Sequence, residues 1–150
     1  MEHLHNGFTL ELSEGAFPLS TDSIALSGFV KLPKHAAVLD LGSGCGTLGL
    51  LLCAAWPDCA VTGVELDAQA HQAAIQNAKA NNLVSRLSSI CADLNSIPSL
   101  IRPGSFACCV SLNSFALCFA SLILRLTNAI NSARFLAAVP DSDNSLANCW

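Results

Sequence analysis

A chain of 150 residues bounds the answer to one domain, large enough to bury a core. Charged residues make up only 12% of it, about half the usual share, and the net charge is −4 with no basic run. That excludes a domain drawn to nucleic acid by long-range charge; any nucleic acid would need a local patch or a second component.

Residues 8–12 alternate and predict a short edge or hairpin strand, turned at Glu14-Gly15. Residues 17–32 predict a helix, capped by Ser20 or Thr21, with Asp22 in its first turn and Pro33 beyond its end. Its apolar side is Ile24, Leu26, Phe29 and Val30. Residues 36–41 are apolar on both faces, as in a central parallel strand. Asp40 is the exception, and a carboxylate there must be paired or hydrogen-bonded. Gly42, Gly44 and Gly46 follow, where positive φ and close backbone approach become affordable.

A helix is expected from Thr47 to Ala55, stopped by Trp56-Pro57-Asp58, and a second strand over residues 60–64 ends at Glu65. Asp67 is placed to cap a helix over Ala68–Ala80. Ala70, Ala73, Ala74 and Ile75 form its inner stripe, Gln72, Gln76 and Lys79 face water, and Asn81-Asn82 end it in a left-handed turn. Residues 87–92 predict a third strand leading to Asp93; residues 95–101 connect it to a fourth over 106–111. Residues 115–126 and 129–139 are helix candidates without clear caps, and residues 140–150 read as a loose end.

The eight cysteines form no C-x-x-C pair and sit mostly in apolar runs, so they read as small buried thiols in a reducing compartment. Histidines 3, 5, 35 and 71 supply no clustered ligand set, and no metal is expected. Residues 1–6 are polar and lead into no apolar core, so no secretory signal is expected and the cytoplasm is the default. Residues 105–124 carry no charge, but serines and Asn113 dilute them, and no membrane span is expected.

Strand, glycine loop, helix, strand and acid make one nucleotide-binding βαβ unit. Two registers compete. Gly44, Gly46 and Gly49 match the dinucleotide pattern G-x-G-x-x-G. Asp40, Gly42, Gly44 and Gly46 match D-x-G-x-G-x-G, which explains the acid and puts the first glycine at the sharp turn after the strand.

VLDLGSGCGTLGLLL, GVELD and CADL together resemble the class I S-adenosylmethionine-dependent methyltransferases, over roughly residues 8–111. With FPLSTDSIAL upstream, they resemble the small-methyltransferase branch that includes the bacterial adenine-N6 methyltransferases of valine tRNA. The resemblance implies a Rossmann-like α/β fold, S-adenosyl-L-methionine as cofactor, and tRNA as partner. It implies that Gly42, Gly44 and Gly46 admit the cofactor's methionine end, with Asp40 supporting the loop and Thr21 and Asp22 nearby. Glu65 would hold the ribose hydroxyls, Leu66 would lie against adenine, Asp93 would accept from the adenine amino group, and Leu94 would sit beside the ring.

The family's fourth strand runs into Asn-Pro-Pro-Tyr or Asn-Pro-Pro-Phe, which holds the target base. Here residues 112–115 read Leu-Asn-Ser-Phe, leaving Asn113 as the substitute candidate for the catalytic position. Composition also changes: all nine glycines lie at or before position 104. Three segments are therefore expected. Residues 1–35 form an N-terminal strand and helix, 36–111 a cofactor-binding core with a partial parallel sheet of order 3-2-1-4, and 112–150 a non-family tail, as a truncated or frameshifted reading frame would give. A half-sheet leaves its fourth strand open to self-association unless the tail covers it. The expected function is a methyltransferase of the tRNA adenine-N6 type; the alternative is an inactive cofactor-binding fragment.

Overall fold

The computed structural model describes residues 1–4, 7–15, 19–101, 105–111 and 134–137. Two short strands, β1 (Glu2–His3) and β2 (Thr9–Leu10), pair antiparallel. Then come α1 (Thr21–Phe29), β3 (Ala37–Leu41), α2 (Thr47–Ala55), β4 (Ala60–Glu65), α3 (Ala68–Ala80) and β5 (Leu87–Cys91). A 3₁₀ turn (Leu94–Ser96), α4 (Ile97–Leu100), β6 (Cys108–Ser111) and β7 (Arg134–Ala137) complete the described elements. The main sheet is parallel throughout, in the order β5-β4-β3-β6-β7. Its first four strands have the expected 3-2-1-4 order.

The crossovers put α2 and α3 on one face of the sheet and send the chain to the other face after β5. The burial follows. Val38, Leu48, Leu50, Leu52, Val61 and Leu87 share one core, while Leu39, Leu41, Val64, Ile97 and Cys109 share the core on the opposite face. β3 alternates between the two, which is why it reads as apolar throughout. Gly49 lets α2 approach closely, since a Cβ there would lie 2.5 Å from Leu87 Cδ1. Arg86 closes the other end of α2, its Nη1 donating to the carbonyls of Cys53, Trp56 and Cys59 at 3.2, 3.3 and 3.4 Å.

Three expectations are corrected. In α1 the buried stripe is Ser23 and Leu26, continued by Val30 just past its end, while Ile24 and Phe29 are 41% and 60% exposed. Residues three and four apart share a face, and Ser23 tolerates burial because its hydroxyl lies 3.0 Å from that of the capping Ser20. Arg134–Ala137 is a strand, where a helix was expected. The open edge of β6 supplies it with a ladder, pairing Cys109 with Phe135 and Val110 with Leu136. β6 is thus not the uncovered edge through which self-association was expected. The helix candidate at 115–126 lies outside the described residues, as do Cys118 and Cys149. The six described cysteines are all free, and all but Cys91 are buried.

Candidate functional site

The glycine loop leaves β3 at Gly42 and enters α2 at Gly46. Gly42, Gly44 and Gly46 all have positive φ, at 72°, 54° and 82°, where a side chain would be strained. The N–H groups of Gly42 and Ser43 both donate to the Val64 carbonyl, at 2.9 and 3.1 Å, tying the turn to the end of β4. Behind it, a Cβ at Gly46 would meet the Ala74 Cβ of α3 at 3.3 Å. Among the described residues no side chain caps α2, and its first-turn N–H groups, which no intrahelical carbonyl can take, face the loop.

Asp40 lies beneath this loop, 2% exposed. It stands opposite Gly63 on β4 and Val110 on β6. Burial, and then the charge of Glu65, raise its pKa to about 7. Among the described residues its Oδ2 has no hydrogen-bond partner, nor has the buried Ser43 hydroxyl. Ser43 packs directly over Gly63, whose missing Cβ leaves room for it. Two orphaned polar atoms therefore sit at the end of β3, one of them a carboxylate oxygen.

Glu65 ends β4 half-buried. Its Oε2 accepts the Gly44 N–H at 2.7 Å and its Oε1 accepts that of Asp67 at 2.9 Å. Leu66 beside it is 69% exposed. Asp93 follows β5, one residue past the Ala92 N–H that donates to the Glu65 carbonyl at 2.9 Å. Its Oδ1 accepts from the Asn95 backbone at 2.8 Å and side chain at 2.9 Å. Leu94 is half-buried and packs toward the Leu39–Leu41 core instead of opening to solvent. Thr21 and Asp22 are exposed in the first turn of α1, which packs on α2, and neither makes a described bond to the glycine loop. Asn113 lies outside the described residues. Asp40, the three glycines, Glu65, Leu66 and Asp93 thus gather at the carboxyl ends of three adjacent parallel strands, where open α/β sheets bind ligands.

A family profile described as a methyltransferase domain matches residues 38–133, well over half the chain and past Ser111. The chain belongs to the methyltransferase-domain family. Among its relatives is the tRNA1(Val) (adenine(37)-N6)-methyltransferase of Vibrio parahaemolyticus, 36% identical over 70 residues; the match covers 47% of this chain and 29% of that one. This chain thus spans about a third of the length of that relative. A methyltransferase from Thiobacillus denitrificans, solved with S-adenosyl-L-homocysteine, superposes with a TM-score of 0.60 at 20% identity, over 75% of this chain and 45% of that one. The cyclase SpnF superposes as well, with a TM-score of 0.62 at 17% identity, over 72% and 39%. These two likenesses show a shared fold, and a fold does not by itself fix a reaction.

S-adenosylmethionine is the expectation that membership of a methyltransferase family meets, and the residues fit it. An uncapped helix end suits the carboxylate of its methionine part, and the orphaned Asp40 oxygen suits a cationic or hydrogen-bond-donating group. Asp40, Glu65, Asp67 and Asp93 make the strand ends acidic, which favours a sulfonium and opposes a pyrophosphate. Gly49 does not choose between the two glycine registers, because its packing on Leu87 serves either. Sequence reasoning missed Ser43 and Asn77. Asn77 carried a signal: a polar residue three and seven positions after Ala74 and Ala70, on the buried stripe of a methyltransferase helix. Among the described residues, no helix is long and apolar enough to cross a membrane, and no three His, Cys, Asp or Glu side chains are grouped to hold a metal.

Proposed function

We propose that this chain binds S-adenosylmethionine across the carboxyl ends of β3, β4 and β5 and transfers its methyl group to the amino nitrogen of an adenine in tRNA. The observation that carries the cofactor half is the orphaned, buried Asp40 carboxyl under an uncapped helix N-terminus, one strand from Glu65. The bound cofactor supplies an electrophilic methyl on sulfur. The protein's part is orientation: first-turn amides of α2 for the carboxylate, Glu65 for the ribose, Leu66 for one adenine face, Asp93 for the adenine edge. For Glu65 this requires exchanging the Gly44 N–H for a ribose hydroxyl. The acceptor half rests on the resemblance to adenine-N6 tRNA methyltransferases.

A second reading is favoured by residues 112–115. Leu-Asn-Ser-Phe stands where that resemblance calls for Asn-Pro-Pro and an aromatic residue. On this reading the chain binds cofactor and transfers nothing. Equilibrium binding and methyl transfer to unmodified valine tRNA separate the two. Binding with transfer selects the enzyme, with Asn113→Ala then expected to abolish transfer and leave binding intact. Binding without transfer selects the fragment. Absence of S-adenosylmethionine binding, or unchanged binding in Glu65→Ala where a loss of about tenfold or more is expected, removes the cofactor site itself.

A further inference from the structure

Residues 9–13 are held along an unusual edge. Asn81, the residue that caps the end of α3, accepts the Thr9 N–H at 2.8 Å and donates to the Thr9 carbonyl at 2.7 Å. Asn77, one turn earlier, repeats the pattern on Glu11, accepting its N–H at 2.7 Å and donating to its carbonyl at 2.8 Å. Four helical residues rise about 6 Å, and two extended residues span about 6.7 Å. Two side-chain amides one turn apart therefore mimic the edge of a neighbouring strand. The next residue in phase, Ser13, reaches the glycine loop: its N–H lies 3.3 Å from Cys45 Sγ and its hydroxyl 3.4 Å. Asn77 makes the same connection directly, its second amide proton bonding the Cys45 carbonyl at 2.9 Å. This side chain is 2% exposed and touches strap, helix and glycine loop at once.

We propose that Asn77 is a positioning residue that locks the glycine loop to the strap of residues 9–13, so that strap docking and ligand binding at the strand ends are one coupled event. The affinity part rests on the cofactor reading above; the loop part does not. An amide with a donor and an acceptor is required, since only that group can pair both backbone atoms of Glu11. Cys45 lies between two glycines of positive φ, in backbone that needs an external anchor to keep one conformation.

The test is hydrogen exchange on the intact chain, without and with S-adenosylmethionine, in three variants. Asn77→Asp keeps the volume and the acceptor but cannot donate to Cys45 or Glu11. Glu11→Pro removes the N–H that Asn77 accepts, at a position whose own side chain is exposed. Asn81→Ala frees Thr9 and leaves the Cys45 bond in place. Asn77→Asp and Glu11→Pro are each expected to speed exchange in residues 42–46 and to weaken S-adenosylmethionine by about tenfold, the worth of one or two hydrogen bonds. Asn81→Ala is expected to speed exchange around residue 9 and to affect the loop and the affinity less. Wild-type exchange at 42–46 in Glu11→Pro, or equal loss of affinity in all three in step with lowered melting temperature, overturns the proposal. If the unaltered chain binds no S-adenosylmethionine, the cofactor reading fails, and the ligand-free exchange pattern still decides whether Asn77 holds the loop.

Discussion

At Asp40 the folded state holds a proton more tightly than the unfolded chain, because burial and the neighbouring Glu65 raise its pKa from 3.8 to about 7. Its contribution to stability is complete below the unfolded value and is lost as pH rises through the folded one, with a limiting slope of about 1.4 kcal/mol per pH unit. Urea melts of the ligand-free protein between these values should show this slope, and Asp40→Asn should flatten it. The variant should be the more stable protein at pH 8 and the weaker binder of S-adenosylmethionine. A cationic ligand favours the ionised carboxyl, so binding near pH 6 should release a proton, seen by calorimetry in buffers of different ionisation enthalpy. A second residue prediction concerns Gly63. A Cβ there would lie 2.7 Å from the Cβ of Ser43 and closer still to its hydroxyl. Gly63→Ala should cost about 1–3 kcal/mol in thermal or urea unfolding, as overpacking does.

Among the elements, those fixed by local signals were legible in the sequence. The helix over Thr47–Ala55 begins at a glycine cluster and stops at Trp56-Pro57, and the helix over Ala68–Ala80 has Asp67 accepting the Gln69 N–H at 3.0 Å as its cap. What escaped depends on partners far along the chain. Asn77 bonds Glu11, 66 residues away, so no window around it shows why a polar residue is buried. The face of α1 is not legible because nine residues with apolar groups on both sides do not define one stripe. β7 is not legible because its strand character comes from β6 and not from a pattern of its own. That dependence is testable. Adjacent strand residues direct their N–H groups to opposite sides, so one of Phe135→Pro and Leu136→Pro removes a bond to β6 and the other does not. One variant of the pair should melt at lower temperature and associate more in light scattering, by exposing β6. Equal behaviour of the two would count against the β6–β7 ladder.

For the whole molecule, the residues proposed to hold the cofactor lie at the ends of β3, β4 and β5, and the residue proposed for a methyl acceptor follows β6 in the chain. Saturable S-adenosylmethionine binding should therefore raise stability with concentration, by about 2.7 kcal/mol at a hundredfold excess over Kd, whether or not transfer occurs. With a net charge of −4 and only seven lysines and arginines, the chain neutralises few phosphates. Filter binding should show weak tRNA affinity with a shallow dependence on salt; a steep dependence would reveal a basic patch that composition conceals.

The strap that reaches the glycine loop has a consequence for how the molecule is made. Thr9 and Glu11 leave the ribosome long before Asn81 and Asn77, the side chains that receive them. Until α3 has emerged and packed, the strap has only β1 to pair with, and the glycine loop lacks its anchor at Cys45. Contacts so far apart in sequence form late, because the loop between them must close before they are made. An early piece of the chain thus waits for a later one, and the glycine loop gains its Cys45 anchor only when synthesis has passed α3.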